Sequence, residues 1–404
     1  MRAVAVFVVA GVAAVGAASS PQVSIVPLPS RASFYTVEAS GSRLLLSGSD
    51  TTGNGCNWLV LDAHTLRVKS SLVASCEQPG LASEPVVPVQ FYRPQGNQTS
   101  VRIARPTPRP ARVSYGPVVM RFPEISDTRL EWTYGPGLLW LYDVATTHGA
   151  EVVEISTATG RVVRTVSMPK LVRPLLAADA DGLWIAASVE TAMGAPAPTY
   201  HLAPGAGAPR LVHRGGYAAF WLVAAGHTVW EDTASMSRPS SVRQEIWRFD
   251  GSSAAAHALA SANSLNSEAT PAVQPGSAAL WTVSNGPSQP SYDSCAGQQI
   301  VRIDAVTGRQ IVKATIRVPG NPCFPVPDVP WLPTGAGAQT FAGGAFYFLA
   351  QTQARVPVMT LYGVRPQPQP AAPVPANERE AAPHSTRAPD ARPAIERHSN
   401  VRST

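Results

Sequence analysis

The sequence predicts an all-β fold, a seven-bladed β-propeller built from four-stranded antiparallel blades. Three observations carry that reading. An apolar stretch ending in an aromatic residue recurs as LLW at 138–140, GLW at 182–184, TVW at 228–230, ALW at 279–281 and AFY at 345–347. The aromatic positions are 44, 46, 51 and 66 residues apart. A strand–turn–strand segment follows each of the first four, over 151–168, 199–213, 245–259 and 299–316. A period of about 40–50 residues with four short strands per unit marks sheets arranged around an axis. Two β-sandwich domains, the alternative, do not explain so steady a spacing. A chain of 404 residues also exceeds what one compact core serves, and 14% charge with 39 Pro and 31 Gly argues against helical bundles.

The elements follow in order. The first residues, MRAVAVFVVAGVAAVGAASSPQ, hold one arginine, an apolar run over 3–15 and small residues over 16–20. Those are the parts of a secretory signal peptide, so 1–18 is expected to be a removable leader and the protein to be secreted or extracytoplasmic. The alternative is a retained anchor, but the run falls short of the ~20 residues a spanning helix needs. No later segment is long enough, so the mature chain is expected to have no transmembrane span.

VSIVPL (23–28) has no neighbouring partner and is expected to close the ring as the fourth strand of the last blade. ASFYTVEA, RLLLSGS, NWLVLDA and RVKSSLVA make the first blade. VVPVQFYR, SVRIARP and ARVSYGPVVM make a degraded second. RPLLAAD, GLWIAAS, TYHLAP and PRLVH show a complete unit. AFYFLAQ and VMTLYGV begin the seventh blade, which lacks a fourth strand of its own. The propeller therefore spans 23–365. From 366 to 404 the larger apolar residues are only Val374, Ile395 and Val401, too few to offset the entropy of ordering, so a disordered Pro-rich tail is expected.

WTVSN (281–285) followed by IVRIDAVTGRQIVKATI resembles the YVTN-type propeller repeat of secreted and periplasmic bacterial proteins. GLWIAAS with EISTATGRVVRTVSM resembles a second copy. The wider group includes proteins similar to streptogramin lyases, and the resemblance implies their seven-bladed fold. It is good in the third and sixth units, partial in most others and poor in the second. Propellers host many unrelated functions, so activity has to be read from the site.

Four cysteines behind a leader point to disulfides. Cys56 falls between the second and third strands of the first blade and Cys76 just after the fourth. Cys295 and Cys323 hold the same places in the sixth. Those places share one face of an antiparallel meander, so Cys56–Cys76 and Cys295–Cys323 are expected. Each closes a loop worth about 3 kcal/mol in the chain-entropy model.

Trp140, Trp184, Trp230 and Trp281 recur at one strand position and read as packing between blades rather than as a carbohydrate platform. Loops on the cysteine-bearing face place Asp143, His148, Asp232 and Asp293 as candidate ligand-binding residues at a channel mouth. His148 with Asp143 could alternatively form an acid/base pair. No GxSxG, HExxH, Walker or EF-hand motif occurs, and neither cofactor nor metal is assigned. A non-catalytic binding or interaction module of the bacterial envelope is expected. The alternative is a lyase-like, metal-assisted propeller enzyme with its site at one mouth.

The formal charge of +6 has one location. Arg93, Arg102, Arg105, Arg109, Arg112 and Arg121 lie in a stretch without a single Asp or Glu. They are a candidate site for an anionic polymer or acidic envelope partner. A secreted protein is not expected to bind nucleic acid.

Overall fold

The computed structural model describes residues 7–8, 22–29, 32–40, 42–50, 56–74, 86–93, 96–106, 113–121, 130–146, 149–171, 174–188, 197–214, 218–238, 241–251, 253, 255–259, 270–277, 279–284, 298–316, 339–352 and 358–365. The described secondary structure is entirely strand, in seven antiparallel sheets numbered here in chain order. Sheet 1 holds Ala32–Ser40, Arg43–Asp50, Cys56–Asp62 and Val68–Ala74. Sheet 2 has three strands, Val86–Arg93, Gly96–Pro106 and Val113–Arg121. Sheet 3 runs from Leu130–Gly135 through Leu138–Thr146 and Gly149–Ser156 to Val162–Met168. Sheet 4 has Leu175–Asp179, Gly182–Ala186, Pro198–Leu202 and Arg210–Arg214. Sheet 5 has Ala218–Ala225, Thr228–Arg238, Ser241–Asp250 and Ala255–Ala258. Sheet 6 has Ala272–Val273, Ala279–Ser284, Gln298–Asp304 and Gln310–Ile316.

Sheet 7 draws on both ends of the chain. Gln339–Ala342, Ala345–Thr352 and Val358–Arg365 are local, and Gln22–Pro27 lies antiparallel beside the last of them. This is the pairing expected of VSIVPL. It is held by burial of Val26 and Leu28 and by the Leu28 N–H bonded to the Met359 carbonyl at 2.9 Å. Phe7–Val8 adds a fifth strand outside it.

The core is divided among the junctions between consecutive sheets, with a separate apolar cluster at each of six of them, from sheets 2 and 3 round to sheets 7 and 1. The repeated aromatic of each second strand packs onto the next sheet. Trp140 joins Leu183 and Ile185 of sheet 4, and Trp184 lies 5.3 Å from Phe249 of sheet 5. The Trp230 indole donates to the Ala305 carbonyl of sheet 6 at 2.9 Å. Trp281 meets Phe341 and Phe346 of sheet 7, and the Tyr347 hydroxyl donates to the Ala63 carbonyl of sheet 1. Sheet 1 carries Leu45 at this position, so the stripe is invisible there. Fully burying such an aromatic removes a large apolar area from water, which is why the position repeats.

Arginines fasten the same junctions. Arg164 of sheet 3 donates to the Ala203 and Ala206 carbonyls, Arg210 of sheet 4 to Ser253, Arg248 of sheet 5 to Val306, and Arg365 of sheet 7 to His64. Every acceptor lies in the turn between the third and fourth strands of the following sheet. Sheet 7 has no such turn, because its fourth strand comes from the other end of the chain. The planar guanidinium suits this forked use, and only Lys69, Lys170 and Lys313 among the 32 basic residues are lysine.

The ATGR-type turns are Asx- and Ser-capped. Asp304 Oδ1 accepts the N–H groups of Val306 (3.1 Å) and Thr307 (2.8 Å) and the Thr307 hydroxyl (2.9 Å). Gly308 then takes a φ of 72°, and Gly160 in the sheet 3 turn takes 65°. Sheet 1 has the same turn, in which Asp62 bonds His64 and Thr65 identically. Leu66 stands there in place of glycine at φ 56°, held by burial of its side chain to 5% exposure. The backbone N–H of Thr65 is the main reason the Asp62 carboxyl falls to about 2.

One expectation needs correction. Cys56 does not sit in a loop. It opens the third strand of sheet 1, opposite Ser49 and Ala74, because the ladder extends one residue further than the apolar pattern. Cys76, Cys295 and Cys323 lie outside the described residues, as do the tail and most of the leader.

Candidate functional site

The first strands of sheets 3 to 7 face one another across a cavity of about 270 Å³. Its wall is Thr133 and Tyr134, 176–178, 222–224, 270–273 and 339–341. These are plain apolar runs edged by hydroxyls, so the wall offers apolar contact, threonine and tyrosine hydroxyls and one amide. Gln339 fixes that amide. Its Nε2 donates to the Thr270 carbonyl (2.7 Å) and Thr282 Oγ1 (3.2 Å), and its Oε1 accepts the Val283 N–H (3.2 Å). Every polar side chain in this wall is neutral at physiological pH.

Ionisable groups lie behind the wall, chiefly between sheets 4 and 5. Glu231 and Asp232 are adjacent in Thr228–Arg238 and both are fully buried. Strand alternation sends them to opposite faces. Glu231 points toward sheet 4, where the Thr199 hydroxyl donates to its carboxyl at 2.8 Å, and burial pushes it up to about 7. Asp232 points toward sheet 6. Neither oxygen has a hydrogen-bond partner among the described residues, and burial, then the charge of Glu231, raises its pKa far above the usual carboxylate range. His201 stacks on Trp184 at 4.3 Å and His213 lies 4.1 Å from Trp247, and burial lowers both imidazoles. Asp179 is raised by burial.

At one end of this junction the turns meet. The Asp181 carboxyl lies 2.8 Å from His227 Nδ1, and its hydrogen bond and charge raise the exposed imidazole. A Cβ at Gly251 would overlap Asp181 Oδ2, so glycine is required for that approach.

The residues predicted for the channel mouth fare unevenly. Asp232 is not a loop residue but lies mid-strand, because Thr228–Arg238 stays paired with Ser241–Asp250 almost throughout. Asp143 likewise lies within the nine-residue strand Leu138–Thr146 and is buried. Neither lines the cavity. His148 and Asp293 lie outside the described residues. Of the arginines, Arg93, Arg102, Arg105 and Arg121 fall within the strands of sheet 2, and Arg109 and Arg112 lie outside the described residues. Channel wall residues such as Thr133 and Gln339 escape sequence reading because no motif marks them. A metal as the lyase reading requires does not fit the described side chains. His201, His213 and His227 face separate partners, and no three His, Cys, Asp or Glu among the described residues converge to hold an ion.

No protein-family model matches the chain, and no curated protein matches it. Solved structures do. The β-propeller domain of the trilobed protease from Pyrococcus furiosus, described as having an open velcro topology, superposes with a TM-score of 0.53 at 8% identity, covering 81% of this chain and 95% of that one. The uncomplexed acylaminoacyl peptidase of Pyrococcus horikoshii gives 0.51 at 10% identity, covering 83% of this chain and 52% of that one. The chain thus spans about half the length of that peptidase. Likeness at such identity concerns the fold, and the fold is a β-propeller.

Proposed function

We propose that this chain is a secreted propeller of seven blades, with YVTN-type repeats and a ring closed by Gln22–Pro27, acting as a non-catalytic binding module in the bacterial envelope. The neutral channel wall carries this reading. Hydroxyls, an amide and apolar side chains orient a neutral ligand by hydrogen bonding and packing, and none titrates where acid–base catalysis operates. The leader-like residues 1–18 support export, and the repeated Asp–Ala–x–Thr turns support the repeat family.

Thermal shift of the purified chain against neutral oligosaccharides and short peptides tests the binding role. A ligand-dependent rise in Tm that Thr340→Phe abolishes is expected. Turnover of any compound in the panel overturns the non-catalytic reading. The arginines of sheet 2 form a second contact, for an anionic polymer. Retention on heparin should fall steeply with salt and be lost in an Arg102→Ala, Arg105→Ala, Arg109→Ala chain; unchanged retention removes that contact.

A further inference from the structure

The outermost strands differ in one respect. The last strands of sheets 1 to 4 and of sheet 6 each carry a lysine or arginine, Lys69, Arg121, Arg164, Arg210 and Lys313 in turn, and that of sheet 5 carries the polar His257. Charge at a sheet edge opposes pairing with another strand, since joining would strip water from it. The outer strand of sheet 7, QVSIVP, carries no ionisable residue.

Its backbone is also arranged to accept a neighbour. The Leu28 N–H points inward to Met359. Alternation therefore turns the N–H groups of Val23 and Ile25 outward. Pro27, which has no N–H, falls at an outward position, where it breaks no inner ladder bond. A strand does lie there. Phe7 sits opposite Ile25 and Val8 opposite Ser24, antiparallel. The side chains of Val23 and Ile25 pack against the apolar cluster between sheets 6 and 7, which fixes the edge in place.

We propose that the outer edge of Gln22–Pro27 is a β-augmentation site for an extended, uncharged segment rich in β-branched and aromatic residues. Phe7–Val8 fills it in the full chain. Once the leader is cut away, a partner protein's segment of that chemistry takes its place, a step that rests on the export proposed above. Main-chain hydrogen bonds supply the affinity, and the absence of charge supplies the selectivity that the other six edges lack.

Hydrogen exchange over residues 21–28 of the full chain tests the edge. Phe7→Pro, which removes the N–H that pairs with Ile25, should speed exchange at Val23 and Ile25 by about tenfold or more. A synthetic peptide of residues 4–11, VAVFVVAG with a polar tag, should restore protection to that variant. Adding Ser24→Lys should abolish the restoration, while the inward amide of Leu28 and the Tm stay unchanged, which separates a lost edge from a lost fold. Exchange that Phe7→Pro leaves unaltered, or a peptide that protects nothing, overturns the site. Mass analysis of the exported protein is independent: an intact N-terminus removes the partner's role and leaves the edge to the exchange result.

Discussion

The junction between sheets 6 and 7 and the junction between sheets 4 and 5 solve one packing problem in different ways. The first is a stack of rings. Trp281, Phe341, Phe346, Phe348 and Tyr362 follow one another at centroid separations of 5.1–6.0 Å. The second has the same repeated tryptophan, but stacks His201 on Trp184 and adds His213, Thr199, Glu231 and Asp179 from the facing strands of sheets 4 and 5. An apolar junction draws its stability from area, which is indifferent to pH. A junction lined with buried titratable groups is stable only while they stay neutral or paired. A propeller can therefore hold a pH-sensitive seam and an insensitive one without changing its architecture.

The largest effect expected is at the apolar seam. Trp281→Ala should lower unfolding free energy by about 3–5 kcal/mol with no change between pH 5 and 8, measured by urea denaturation. Loss that varies with pH would break the contrast. Next comes the polar seam. Glu231 binds its proton more tightly folded than unfolded, so its contribution is greatest below its ordinary value of 4.5 and declines as pH rises to about 7. Glu231→Gln should remove a decline on the order of 3 kcal/mol, read as the difference between variant and parent in urea titrations across that window. His201 and His213 act oppositely. Their pKa values are depressed on folding, so the stability they contribute is lost as pH falls below about 6.5, and only the difference measurement isolates Glu231.

Thr199→Val should cost about 1–3 kcal/mol by leaving the Glu231 carboxyl without its donor, and should extend the pH-dependent region upward. Glu231→Gln made in the Thr199→Val background should restore part of the loss; if it restores none, the pair is not coupled. The smallest effect lies outside both seams. Gly308→Ala should cost about 1 kcal/mol because its φ of 72° favours glycine. Leu66 shows a similar φ of 56° tolerated where burial compensates, so a thermal melt of Gly308→Leu sharpens the point.

The repeat was legible because each of sheets 3 to 7 buries one aromatic against the next, and a buried tryptophan is hard to replace. The stripe stops at Leu45, and the third copy of the turn is hidden by Leu66 where glycine was the expected mark. Tertiary packing made both exceptions affordable, and packing is not written locally. Asp232 read as a loop residue because it follows Glu231, and two adjacent acids break strand alternation. They remain in the strand because neutral carboxyls can be buried on both faces. The cavity was not legible at all. Its wall comes from five runs as plain as LLAAD, spread from Thr133 to Phe341, and only the fold brings them together.

In sheet 7, Gln22 lies opposite Arg365. This hydrogen-bonded ladder joins residues more than 300 positions apart. Such a contact is slow to find and must wait until Arg365 has been synthesised. A circular permutant that links 365 to 22 by a short turn and opens between sheets 2 and 3 would make that ladder local, and its refolding should be faster at unchanged strand pairing.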